Sequence, residues 1–86
     1  MVRSFSTWKA QAVLRLLAIK AAHSDPKVHE TVDALIAKLL RLRTRDLAAF
    51  LVLLHRAAAL SEEFLSILPT EEEVKTWSKK RVAENP

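Results

Sequence analysis

Three arginines at alternate positions, Arg41, Arg43 and Arg45, stand in the stretch RLRTRD between two apolar runs. Guanidinium groups grip phosphate and carboxylate through paired, charge-assisted hydrogen bonds. Lys38, Arg41 and Arg45 are three or four residues apart, so a continuous helix would put them on one face and Arg43 elsewhere. A break within the stretch has a different outcome. Thr44 then caps a new helix and Asp46 sits in its first turn, where negative charge suits the helix dipole. The arginines stand beside the N–H groups that open that helix, a natural seat for phosphate. Lys79, Lys80 and Arg81 add to the basic set if the last helix folds back. The plain alternative is a solvated boundary between two apolar helices, with Asp46 offsetting Arg45.

Other chemistry finds few materials. The only histidines are His23, His29 and His55, and none has the spacing of a metal-binding helix pair. No cysteine is present, so thiolate metal sites and disulfides are excluded. Glu62–Glu63 and Glu71–Glu73 fall at expected helix starts, where capping accounts for them, and not in an apolar pocket suited to acid–base work. Without glycine there is no phosphate-cradling loop and no dinucleotide fingerprint. The expectation is a protein that is not an enzyme and carries no cofactor or metal.

Charge supports a polyanionic partner. The net charge is +4 over 86 residues, and it is uneven. Residues 1–56 carry ten Lys/Arg against four Asp/Glu, whereas residues 57–86 carry four against six. A basic field of this kind favours nucleic acid. No secretory signal is expected, because Arg15 and Lys20 interrupt the first apolar run. The longest apolar run, residues 47–54, is far short of the ~20 residues of a membrane span. The chain reads as soluble and cytoplasmic. The chain has only one Asn, one Gln and one Met, and such depletion of thermolabile residues is a mark of thermophilic proteins.

The elements that position these residues are all helical. A first helix over residues 7–22 is capped by Ser6 or Thr7, and its apolar residues spread around most of the circumference, so it wants contacts on two sides. Asp25 caps a second helix with Pro26 at its first position, running to about residue 42. Val28, Val32, Leu35, Leu39 and Leu42 recur in a 4-3-4-3 pattern, and Ile36 and Leu40 widen this seam. A third helix over about 45–60 has no polar position in LAAFLVLL and should be the most buried. Ser61 opens a short helix stopped by Pro69. Thr70 and Glu73 then have the spacing of a capping box at the head of the last helix. Trp8 and Trp77 read as core or interface anchors. The expected architecture is one all-α domain over residues 1–86, a compact bundle of four to five helices.

Two functions compete. One is a small basic module, dimeric, that binds nucleic acid mainly through phosphates, using Lys38, Arg41, Arg43, Arg45, Lys79, Lys80 and Arg81. The other is a protein–protein assembly or adaptor module with an apolar helical interface. A helix-turn-helix reading of residues 45–68 fails. Its turn lacks glycine, and its recognition helix, EEFLSIL, opens with two acids that repel phosphate. Binding to an anionic membrane surface is disfavoured by the acidic head of the last helix.

Overall fold

Ser4 opens the first helix, α1 (Phe5–Ala22): its hydroxyl accepts from the Thr7 amide at 3.1 Å. The helix thus starts before residue 7, and neither Ser6 nor Thr7 is the cap. The reason is packing. Inside the helix, Phe5 stacks on Trp8 and meets Trp77 edge-on, with ring centroids 5.8 and 5.2 Å apart. These positions come from a computed structural model that describes residues 2–84, with side chains through residue 79.

Asp25 starts α2 (Pro26–Leu40) as the sequence predicts, accepting from the Lys27 amide at 2.9 Å with Pro26 in the first turn. Lys20 reaches Asp33, and Lys9 reaches the Leu42 carbonyl, so α1 and α2 form an antiparallel pair. All five seam residues, Val28, Val32, Leu35, Leu39 and Leu42, are buried. Leu40 is not: it is 68% exposed, so the seam widens only through Ile36.

The chain breaks after α2. Arg41 ends the helix, Arg43 is extended, and a one-turn 3-10 helix, Thr44–Asp46, leads into α3 (Leu47–Ala57). Neither glycine nor a positive φ is used among the described residues. Burial of Leu42 on one side and Leu47 on the other turns the chain, and the Lys9 ammonium takes the Leu42 carbonyl at 3.1 Å. Four of the eleven residues of α3 are buried, against four of fifteen in α2 and four of eighteen in α1. This helix therefore has the densest buried face, although Val52 on its far side is 51% exposed.

Ser61 caps a 3-10 helix, Glu62–Ile67, accepting from the Glu63 amide. Phe64 and Ile67 bury against α1 and α3, and the Trp8 indole N–H donates to the Ile67 carbonyl at 2.9 Å. The capping box then forms: the Thr70 amide donates to Glu73 Oε1 at 2.9 Å, and the Glu73 amide donates to Thr70 Oγ1 at 3.1 Å. It heads α4 (Glu71–Glu84), which packs against the Thr44–Asp46 turn. Four helices and two 3-10 segments complete the all-α bundle, with no strand among the described residues. No helix of the described residues is long and apolar enough to cross a membrane.

Candidate nucleic-acid interface

The break between α2 and α3 places the basic residues at one end of the α1–α2 pair. Lys38 lies in the last turn of α2, Arg41 at its cap, Arg43 in the extended link and Arg45 in the 3-10 turn; all four are exposed. None lies within 4.0 Å of a carboxylate among the described residues. Asp46, the expected offset for Arg45, is not in such a pair. The folding back of the last helix is also seen, since α4 packs on the same turn and carries the exposed Lys79. The side chains of Lys80 and Arg81 lie outside the described residues.

The helix entry differs from the expected one. Thr44 is not a cap: Arg43 precedes the 3-10 turn and no side chain bonds to its first N–H groups. Asp46 likewise makes no capping bond to α3. Thr44 lies within the turn itself, so it cannot stand outside and cap it. The negative side chain of Asp46 still lies near the positive end of α3, where its field is favourable. What remains of the phosphate seat is the charge of four side chains, not a long helix dipole.

Beside these cations lies a cleft of about 700 Å³ between the end of α2 and the start of α3. Ala37, Leu42, Ala49 and Leu53 give it an apolar lining, and Lys38, Arg41 and Asp46 stand among its polar groups. It can hold a phosphate-bearing ligand by its anionic part and leave the apolar lining for a less polar group. Asp46 is its one carboxylate and it has no histidine, so no acid–base pair is assembled there. Among the described residues no three His, Asp or Glu side chains gather as a metal site. His29 bonds the His23 carbonyl, His23 approaches Glu63 at 3.3 Å, and His55 bonds the Leu51 carbonyl at 2.8 Å. Each histidine thus has a local structural partner.

The far end of the bundle has the opposite sign. Asp25, Glu30 and Asp33 lie in or beside the first half of α2, and the His23–Glu63 contact brings the Glu62–Glu63 pair alongside. Lys20 and Lys27 offset part of this charge. The basic end also has acids of its own: Glu71 and Glu72 are exposed at the head of α4, next to the contact of Glu73 with Arg3.

One charged site was not legible in the sequence. Arg3 closes on Glu73 with its Nε at 2.7 Å from Oε2 and its Nη2 at 2.8 Å from Oε1. The Arg3 amide adds a third bond at 3.2 Å, and the Trp77 indole N–H donates to the Arg3 carbonyl at 3.0 Å. Glu73 is 3% exposed. The Arg3 hydrogen bonds pull its carboxyl from an ordinary value of 4.5 down to about 2, against the opposing effect of burial. Arg3 is correspondingly raised by its hydrogen bond to Glu73. This half-buried pair is a structural clasp that holds the head of α4 to the segment just ahead of α1.

The chain matches no protein-family model, no curated protein and no solved structure.

Proposed function

We propose that this chain is a small, non-enzymatic helical module of the cytoplasm that binds nucleic acid mainly through phosphates and acts as a dimer. The observation that carries the nucleic-acid reading is the group of four exposed cations, Lys38, Arg41, Arg43 and Arg45, at one end of the bundle with no carboxylate within 4.0 Å among the described residues. The exposed Lys79 belongs to α4, which packs on the same turn, and would extend that surface. Exposed cations without internal partners gain most from displacing the counterions of a polyanion. Sequence readout is not part of the proposal, because the four cations lie at a helix end, in an extended link and in a one-turn 3-10 helix. The scarcity of Asn, Gln and Met fits a thermophilic source.

Fluorescence anisotropy with mixed-sequence duplex DNA and RNA tests the reading. If all four cations neutralise phosphates, the log–log salt slope is roughly −3.6 for B-DNA, and raising salt fourfold weakens binding roughly 150-fold. Reversing both Arg41→Glu and Arg43→Glu should abolish binding and leave helicity unchanged, since both side chains are exposed. Undetectable binding at low salt, or affinity indifferent to salt, refutes the proposal.

The second reading, a protein–protein assembly module, is favoured by a separate observation. Leu14 and Leu17 of α1 point away from the buried face of their own helix and are 68% and 47% exposed.

A further inference from the structure

The solvent side of α2 is mostly charged: it carries Lys27, Glu30, Asp33, Lys38 and Arg41, with Leu40 as its one exposed large apolar residue. On α1, the core side is Trp8, Ala12, Leu16 and Ile19, and the opposite side is Ala10, Leu14, Leu17 and Ala21. No charged residue interrupts that outer strip. Three of the polar residues beside it are turned onto their own chain, while the exposed Arg15 lies farther round the helix, between Gln11 and the core side. Lys9 bonds the Leu42 carbonyl, Lys20 bonds Asp33, and Gln11 accepts from Arg3 at 2.7 Å. A helix that is apolar on two opposite sides is expected to be buried on both.

We infer that the outer face of α1 is the interface of a homodimer in which two α1 helices pack antiparallel across a two-fold axis. The inference rests on the dimeric part of the reading above and not on its nucleic-acid part. Three features select a second copy of this chain as the occupant. First, the strip is its own mirror: Ala10, Leu14, Leu17 and Ala21 recur at intervals of 4, 3 and 4, so reversal leaves both residue types and spacing unchanged. Such a pattern is self-complementary, as a two-fold interface requires. Leu14 meets Leu17 of the second copy at the centre, and Ala10 meets its Ala21 at each end, where small side chains let the helices approach.

Second, the flanks agree. Antiparallel pairing sets Val13 beside Lys20 of the second copy and Gln11 beside its Ala18, so no like charges meet. Third, the ends agree. Antiparallel packing sets the basic end of one copy, with Arg41, Arg43 and Arg45, alongside the acidic end of the other, with Asp25, Asp33 and Glu63. A parallel pair would set basic end against basic end. The interface is narrow. A strip on an 18-residue helix about 27 Å long falls below the ~800 Å² per partner of tight complexes, so the dimer dissociates on dilution.

Light scattering across a dilution series, on the full chain, tests this. The wild type should shift from twice the chain mass to the chain mass, and Leu14→Glu should show the chain mass throughout with an unchanged helical circular dichroism spectrum. The orientation is read by cysteine pairing, which is clean because the chain has no cysteine of its own. Mixed Leu14→Cys and Leu17→Cys chains should form the 14–17 disulfide in preference to either same-site disulfide. A wild type that is monomeric at every concentration, a Leu14→Glu variant that remains dimeric, or a predominance of same-site disulfides overturns the inference. Low-salt DNA binding by monomeric Leu14→Glu keeps this result separate from the fate of the phosphate-binding surface.

Discussion

The Glu73 carboxylate accepts four hydrogen bonds, three from Arg3 and one from the Thr70 amide. A carboxylate has about four acceptor sites, so this one is fully used. Its stabilising effect depends on pH in a defined way. A carboxyl whose folded pKa is depressed stabilises the fold fully above its unfolded pKa and loses that contribution as pH falls through the folded one. Here the window lies between 4.5 and about 2. At ~1.4 kcal/mol per unit, the drop is worth at most about 3.5 kcal/mol. The Arg3 side chain is 35% exposed, so water screens part of this and about 2 kcal/mol is expected. Glu73→Gln keeps the shape but removes the charge, and its amide can turn an N–H₂ toward the Arg3 donors. Urea unfolding of wild type and Glu73→Gln should therefore differ by about 2 kcal/mol or more at pH 7. The difference should hold down to about pH 5 and shrink progressively toward pH 2.5. A difference that is absent at pH 7, or that stays constant through acid, refutes the clasp as an electrostatic device.

Two further substitutions separate capping from core packing. Ser4→Ala removes the hydroxyl that bonds the Thr7 amide and should cost about 1 kcal/mol, whereas Thr44→Ala removes no capping bond and should stay within roughly 0.5 kcal/mol of wild type; equal costs in urea unfolding would contradict the assignment. Leu39 is fully buried in the α2 seam, so Leu39→Ala should cost about 2–5 kcal/mol, with a lower thermal midpoint. A loss under 1 kcal/mol would show that the seam is not a tightly packed core.

Local signals carried most of the fold. The α2 seam, the Asp25–Pro26 start and the Thr70–Glu73 capping box each lie within one helix or one turn, where spacing alone decides the geometry. The two-sided character of α1 was legible for the same reason. The start of α1 was not, because Ser4, Ser6 and Thr7 are all competent caps, and the choice falls to Phe5 meeting Trp77 at the other end of the chain. Arg3 as the partner of Glu73 had no local signal either, since 70 residues separate them. At the candidate interface, the break after α2 followed from Thr44 and Asp46, yet neither makes a capping bond. Burial of Leu42 and the reach of Lys9 hold the break, and both are tertiary. The basic cluster could be read as residue types in a row, but its freedom from carboxylate partners only from the fold.

The clasp also sets an order of events during synthesis. The Trp77 indole reaches back 74 residues to the Arg3 carbonyl. At ribosomal speeds of roughly 5–20 residues per second, the first turn of α1 waits about 4 to 15 s for its final partner. In that interval α1 and α2 can already pair through their short connection, while Phe5 and Trp8 remain without the Trp77 ring. The nascent chain therefore passes through a stage in which an aromatic surface is open at the same end as the arginines. Helix α4 both closes that surface and packs on the turn that carries Arg45, so this end of the bundle takes its final form only after α4 has emerged.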